Sequence, residues 1–181
     1  MKHLVEPIRD KKQIKAVENY LAQKNPRNRL LFVLGCNSGL RVSDILALDV
    51  KDVRNKTHIE LNEQKTGKCK RFPINDKLKK LLNDFIKDKE DDEPLFLSQK
   101  RHRLDRSQVY RMLNETCKAL GITANIGTHS MRKSMGYHHY KQFKDVAMLQ
   151  MIFNHSSPQI TLRYIGISQD EIDNSYRQFE L

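Results

Sequence analysis

Hydrophobic residues recur at helical spacing along most of the chain. In the first segment, Ile14, Val17 and Leu21 follow Asp10, which is a favourable N-cap residue. The pattern therefore predicts an amphipathic helix over residues 11–24.

Capping residues and helix breakers divide the rest of this pattern. Asn25-Pro26 is expected to end the first helix and Ser38-Gly39 the second, while Ser157-Pro158 supplies the N-cap and N1 residues of a later one. Further helices are predicted over about 28–37, 41–48, 76–86, 107–120, 128 or 130 to 140, 146–153, from 158 into 164, and from 168 onward. In the last of these, a Ser168–Glu171 capping box precedes an apolar face of Ile172, Tyr176 and Phe179.

The pattern changes from helical to alternating between residues 52 and 73. His58-Ile59-Glu60-Leu61 alternates, Thr66-Gly67 is typical of a turn, and Cys69–Pro73 resumes an extended segment. We therefore predict a β-hairpin or a three-stranded sheet. With no repeat or linker in its 181 residues, the chain is expected to form one domain over residues 1–181, mainly α with a small antiparallel β-sheet.

Charge and cysteine content narrow the class of partner. The chain has 33 Lys and Arg against 22 Asp and Glu, a net charge of +11 that favours a polyanion such as nucleic acid. Cys36, Cys69 and Cys117 lie far apart, so neither a zinc site nor a disulfide framework is predicted. The apolar run Leu30–Leu34 is too short to span a bilayer, and we expect a cytoplasmic protein with no membrane partner.

Several basic residues lie where they can serve phosphodiester chemistry. Strand transfer without a metal requires a hydroxyl nucleophile, fixed cations for the non-bridging oxygens and a proton donor for the leaving oxygen. Arg41 begins a helix after a glycine, with Asp44 three residues on and able to orient it, and Lys65 lies at the predicted hairpin tip. Taken alone, each is typical of an exposed charged residue.

A second group of candidates lies in the last third of the chain. His129 and Arg132 are three residues apart at a helix start, so both can point at one site. His155 precedes a helix that carries Tyr164. A single tyrosine in a helix is most often a packing residue, and the local sequence alone favours that interpretation of Tyr164.

Together these segments resemble the catalytic domain of the tyrosine recombinase (phage integrase) family. The resemblance runs from about Lys11 to Ile167 and depends on six residue types in a fixed order. They are Arg41 in SGLRVSDI, Lys65 in QKTGK, His129 and Arg132 in THSMRKS, His155 in NHSS, and Tyr164 in TLRYI.

The resemblance implies a role for each of these residues. Tyr164 would attack the scissile phosphate and form a 3′-phosphotyrosine, with neither a metal nor ATP. Arg41 and Arg132 would clamp the non-bridging oxygens, and Lys65 would protonate the 5′-oxygen. The resemblance also implies that His129 assists proton transfer, that His155 hydrogen-bonds the phosphate, and that Asp44 supports Arg41 and its helix.

Partners and domain organisation follow from the same resemblance. It implies double-stranded DNA as substrate, no cofactor, and a homo-oligomer on DNA, with a tetrameric synapse. Only about ten residues precede the first helix, so we expect no N-terminal core-binding domain, which most family members carry. The last helix, about residues 168–181, is compatible with docking on a neighbouring protomer and with folding back on its own core.

Two other functions fit parts of the sequence. The segment SGLRVSDILAL also resembles a helix-turn-helix fragment, so a non-catalytic DNA-binding regulator or recombination accessory protein is the alternative. Relaxation of supercoiled DNA would use the same chemistry on one strand. The sequence does not distinguish integration, excision, inversion and dimer resolution.

Overall fold

The computed structural model describes residues 5–167 and 169–180, and in this part of the chain it is mainly helical with one small sheet. The helices are α1 Lys11–Lys24, α2 Pro26–Ser38, α3 Val42–Ala47, α4 Asp76–Ile86, α5 Arg106–Ala119, α6 Ser130–Phe143, α7 Val146–Phe153, α8 Pro158–Ile165 and α9 Gln169–Arg177. The strands are β1 His58–Asn62 and β2 Cys69–Pro73, and a short 3-10 helix covers Val50–Asp52. The predicted fold class is confirmed.

The junction between α1 and α2 differs from its prediction. Asn25 ends α1 through its backbone N–H, and its side chain accepts from the N–H groups of Arg27 and Asn28. Pro26 is then the first residue of α2, where its missing N–H costs nothing. The pair Asn25-Pro26 is therefore both a helix end and a helix start, and α2 begins two residues before its predicted start.

The sheet of the described residues has two antiparallel strands, so the hairpin prediction is confirmed and its three-stranded alternative is wrong. Residues directly opposite include Ile59 with Phe72 and Leu61 with Lys70. Ile59 is fully buried and anchors the hairpin on the main core. Residues 63–68 connect the strands at the far end of the hairpin from that anchor.

Helix α2 forms the centre of the main core, and α1, α4 and α6 pack around it. All of Leu30–Leu34 are buried, which explains why the helix has apolar residues on every side. Gly35 allows α6 to approach, because a Cβ at this position would lie 2.7 Å from the sulfur of Met131.

A second, smaller core joins α6, α7 and α8. Leu149, Phe153 and Ile165 are fully buried in it. Gly136 makes this packing possible, since a Cβ there would lie 2.6 Å from the Phe153 ring and 2.7 Å from Ile165. The helix that carries Tyr164 is thus held directly against α6.

The end of the chain is described in part. The predicted Ser168–Glu171 capping box and the Ile172 side chain lie outside the described residues. Tyr176 and Phe179 are 74% and 69% exposed, so these two apolar side chains are largely uncovered. Among the described residues, no helix has the length and apolar character needed to cross a membrane.

Candidate functional site

Tyr164 lies in the second turn of α8, at the edge of the smaller core. Ser157 caps this helix by accepting from the N–H of Ile160, and Pro158 is its first residue, as predicted. The Tyr164 ring is in edge contact with the rings of His155, at 5.1 Å between centroids, and Phe153, at 5.5 Å. These contacts fix the ring and leave the hydroxyl directed toward the start of α6.

His129 is the N-cap residue of α6 and lies close to that hydroxyl. Its Nδ1 lies 3.5 Å from the Tyr164 hydroxyl oxygen. Residues 35 positions apart in the chain therefore meet, as the predicted site requires.

Arg132 connects the two segments that carry the other candidates. One guanidinium nitrogen donates to the carbonyl of Gly39 at 2.6 Å, and another donates to the carbonyl of Phe153 at 2.9 Å. Gly39 precedes Arg41 by two residues, and Phe153 precedes His155 by two. Because Arg132 is almost wholly buried, these charge-assisted bonds fix the positions of both segments.

His155 is held by α8 itself. Its Nδ1 lies 3.0 Å from the hydroxyl of Thr161, which donates its hydrogen to the carbonyl of Ser157. When the Thr161 hydroxyl donates to this carbonyl, the imidazole donates from Nδ1, and a neutral His155 ring then keeps its Nε2 as an acceptor.

Arg41 lies immediately before α3 and pairs with a carboxylate that the sequence did not suggest. Its Nη1 lies 2.8 Å from Oε1 of Glu63, in the connection between β1 and β2. Glu63 is 2% exposed, and its other oxygen accepts from the hydroxyl of Thr66. The guanidinium of Arg41 therefore has a fixed partner that belongs to the hairpin.

The expected orienting contact between Asp44 and Arg41 is wrong. The Asp44 carboxylate is buried and accepts from the backbone N–H of Gln64 at 2.9 Å. The Asp44 side chain therefore faces the hairpin connection, and the partner of the Arg41 guanidinium is Glu63. Asp44 thus attaches the hairpin connection to α3.

Lys65 lies in the exposed connection of the hairpin, as predicted. In the part of the chain that the structure describes, it makes no hydrogen bond or ion pair with the other five candidates. The connection is attached to the α7–α8 turn by its neighbour Lys68, which donates to the side chain of Asn154 at 3.0 Å. The structure therefore brings together Arg41, His129, Arg132, His155 and Tyr164. Lys65 lies apart from them, on the connection between β1 and β2.

Lys70 is a further residue of the site that the sequence argument did not include. Its ammonium lies 3.4 Å from the carbonyl of Gly39 and 4.0 Å from Oε1 of Glu63. The alternation of side chains along a strand could have predicted that Lys70 points inward, because Lys70 shares a face of β2 with the half-buried Phe72. Glu63 had no such signal, since it follows the strand in a polar run.

The electrostatics of the site favour the neutral forms of Tyr164, His155 and His129. Partial burial raises the pKa of Tyr164, although the positive charges of Arg132 and Arg41 act in the opposite direction. Burial lowers the pKa of His155, and so does the charge of Arg132; burial also lowers the pKa of His129, with a further contribution from Arg106. A neutral imidazole beside a protonated phenol is a suitable proton acceptor.

The donor set of the site is cationic. Among the described residues, no group of three or more His, Cys, Asp or Glu side chains is placed to hold a metal ion. The arrangement is suited to an anion, because the guanidinium groups of Arg132 and Arg41 place positive charge near the Tyr164 hydroxyl.

Comparisons with known proteins give a consistent result. The family described as Phage integrase family matches residues 9–171 of this chain. A Bacillus subtilis (strain 168) protein named probable integrase/recombinase YoeC is 47% identical over 178 residues, which are 98% of each chain. Tyrosine recombinase XerA of Pyrococcus furiosus is 25% identical over 174 residues, or 93% of this chain and 60% of that protein.

Solved structures show the same fold. The crystal structure of XerA recombinase superposes with a TM-score of 0.78 at 20% identity, over 97% of this chain and 66% of that one. A lambda integrase dimer bound to a COC′ core site gives a TM-score of 0.74 at 17% identity, over all of this chain and 52% of that one. The chain thus spans nearly the whole of one relative and between about half and two thirds of the others named here.

Proposed function

Because the chain belongs to the phage integrase family, we propose that it is a tyrosine-type site-specific recombinase that breaks and rejoins strands of double-stranded DNA. One observation carries this proposal: the Tyr164 hydroxyl lies 3.5 Å from Nδ1 of His129, and the charges of Arg132 and Arg41 act on it. A packing tyrosine would require none of these neighbours.

In the proposed reaction, the Tyr164 oxygen attacks the scissile phosphorus. A bond forms between this oxygen and phosphorus, the bond from phosphorus to the 5′-oxygen breaks, and a 3′-phosphotyrosine results. His129 accepts the phenol proton, and Lys65, delivered by the hairpin, donates a proton to the departing 5′-oxygen. The phosphodiester is exchanged for another phosphate ester, so the chemistry requires neither ATP nor a cofactor.

Charge stabilisation is the proposed task of Arg41, Arg132 and His155. The phosphorane gains a negative charge on its non-bridging oxygens, and fixed guanidinium groups stabilise that charge without reorganising. His155 joins them when its Nε2 carries a proton, which the incoming phosphate favours by raising the pKa of the ring. Asp44 contributes indirectly by fixing the hairpin on α3.

Double-stranded DNA and further copies of the chain are the proposed partners. The net charge of +11 suits a polyanion, and the lambda integrase structure shows a related domain as a dimer on its DNA site. We place residues 1–181 in one catalytic domain that assembles on DNA into a homo-oligomer of up to four copies. The exposed side chains of Tyr176 and Phe179 on and after α9 suit a contact between copies.

Covalent capture tests the proposal. The protein is incubated with nicked suicide duplexes taken from the DNA that flanks its gene, and adducts are separated on a denaturing gel. We expect an adduct with the wild type and none with Tyr164→Phe. Tyr110→Phe is the matched control, because Tyr110 is an exposed tyrosine on α5 and its variant should form the adduct normally.

Each other outcome has a defined meaning. An adduct that persists in Tyr164→Phe would show that another residue is the nucleophile. Salt-dependent DNA binding without an adduct, unaffected by loss of Arg41 and Arg132, would instead support a non-catalytic DNA-binding protein.

A further inference from the structure

Three cations converge on one carboxylate oxygen beneath the hairpin. Oε1 of Glu63 lies 2.8 Å from Arg41, 3.9 Å from Arg132 and 4.0 Å from Lys70. This buried oxygen has no hydrogen bond within the described residues, so only the positive charges compensate its burial. The Gly39 carbonyl is shared in the same way, since Arg132 and Lys70 both donate to it.

The charges of this cluster do not cancel. Glu63 and Asp44, both 2% exposed, balance the two arginines. The nearby imidazoles of His155 and His129 are neutral near pH 7, because burial lowers the pKa of each. The ammonium of Lys70 is therefore the excess charge of the cluster.

Lys70 and Arg41 are the accessible members of the cluster. Its side chain is 13% exposed and that of Arg41 is 18% exposed, whereas Arg132 and Glu63 are almost wholly covered. An anion that approaches the cluster would meet Lys70 and Arg41 first.

We propose that Lys70 supplies the net positive charge with which this cluster attracts a phosphate, and that Glu63 is the positioning residue that holds Lys70 and both arginines together. The inference rests on the proposed function, since it assigns a phosphodiester to the same pocket. It adds a second lysine of the hairpin to the site, on β2 rather than at the tip.

The surroundings of Lys70 make this charge sensitive to pH. Burial and the charge of Arg132 lower the pKa of Lys70 to about 8, against the raising effects of Glu63 and Asp44. The groups that face it are Arg41 and Asp44 at the start of α3, Glu63 from the hairpin connection, Arg132 from α6, and His155 from the turn between α7 and α8. Above pH 8 the ammonium loses its proton, the cluster becomes neutral, and its attraction for an anion should decrease.

Sulfate is a suitable probe, because its charge does not change near neutral pH and it requires no cognate DNA. Its binding is followed by NMR at the backbone amides of Gly39 and Gln64, on either side of pH 8. The wild type should bind more tightly below pH 8 than above it. Lys70→Met should bind about tenfold more weakly than the wild type below pH 8 and show little dependence on pH.

Two further variants separate the charge of Lys70 from its effect on folding. Lys70→Arg retains a cation that does not titrate, so it should bind sulfate on both sides of pH 8 as the wild type does below it. Lys80→Met removes the same charge from an exposed position of α4 and should match the wild type.

Failure of this inference can be told from failure of the proposed function. If Lys70→Met binds as the wild type does, or Lys70→Arg keeps the wild-type pH dependence, the role of Lys70 is wrong, and Tyr164 adduct formation still decides the function. If Arg41→Met also leaves sulfate binding at these amides unchanged, the cluster is not an anion site, and the phosphate clamp of the proposed function fails with it.

Discussion

Replacement of Lys70 by methionine should make the DNA-free protein more stable at neutral pH. Lys70 is 13% exposed and its ammonium is held among two arginines, so folding removes a charged group from water and places it beside like charges. Methionine has a similar length and fills the same space without a charge. Arg41 remains paired with Glu63 in the variant, so no carboxylate is left alone.

The pKa of Lys70 sets the size of the effect. The pKa is 10.5 for a free lysine and about 8 in the folded protein. At about 1.4 kcal/mol for each pKa unit, the protonated side chain disfavours the folded state by about 3 kcal/mol at most. This value already includes the favourable effect of Glu63, and loss of the hydrogen bond to the Gly39 carbonyl reduces the gain, so we expect Lys70→Met to raise the free energy of unfolding by about 1–3 kcal/mol.

The pH dependence has a definite sign. Between pH 8 and 10.5 the unfolded chain holds a proton on Lys70 that the folded chain has lost, so the wild type gains stability as the pH rises. The penalty is complete below pH 8 and absent above 10.5. The difference between the wild type and Lys70→Met should therefore be largest near pH 7 and shrink as the pH rises through this window.

Urea denaturation at a series of pH values measures both the stability gain of Lys70→Met and the dependence of that gain on pH. For a chain of this size, a gain of 1 kcal/mol corresponds to about 2–4 °C in melting temperature, which gives an independent check. Lys80→Met should show no comparable change. A Lys70→Met protein that is less stable than the wild type at pH 7 would refute the reasoning, because the pairing with Glu63 would then outweigh the burial of the charge.

Three further changes test other parts of the structure. Asp44→Asn keeps an acceptor for the Gln64 N–H, whereas Asp44→Ala should cost about 1–3 kcal/mol more in urea denaturation; equal costs would show that this bond contributes little. Gly136→Ala should lower the free energy of unfolding by about 1–3 kcal/mol, because the new methyl group meets the Phe153 ring; an unchanged melting temperature would argue against this close packing. Stability should also fall as the pH drops below 6.5, since burial lowers the pKa of His155 and the unfolded chain takes up the proton first; His155→Asn should reduce that slope in pH-dependent melting.

Local side-chain bonds explain which parts of the fold could be predicted. Asp10, Asn75, Asp145 and Ser157 each cap the following helix with their own side chain, so the starts of α1, α4, α7 and α8 were predicted correctly. The start of α2 was missed because Asn25 caps one helix while it ends another.

For the candidate site, the sequence predicted the residues but not the partners of their side chains. The order of residue types predicted which side chains would meet, and five of the six do lie together. The partners of those side chains depend on how the hairpin packs on α3 and α6, and spacing along the chain does not reveal such contacts. The exchange of Asp44 for Glu63 as the partner of Arg41, and the presence of Lys70, are therefore visible in the structure alone.

The two carbonyl contacts of Arg132 affect how inactive variants should be interpreted. An alanine at this position deletes a positive charge and also releases the peptide segments at Gly39 and Phe153. Loss of activity in an Arg132 variant can therefore result from displaced segments as well as from the missing charge. Tyr164→Phe removes one oxygen and leaves both segments attached. Under the proposed mechanism it is therefore the appropriate catalytically silent protein for trapping DNA complexes, whereas libraries designed to alter target choice should keep Arg132 constant.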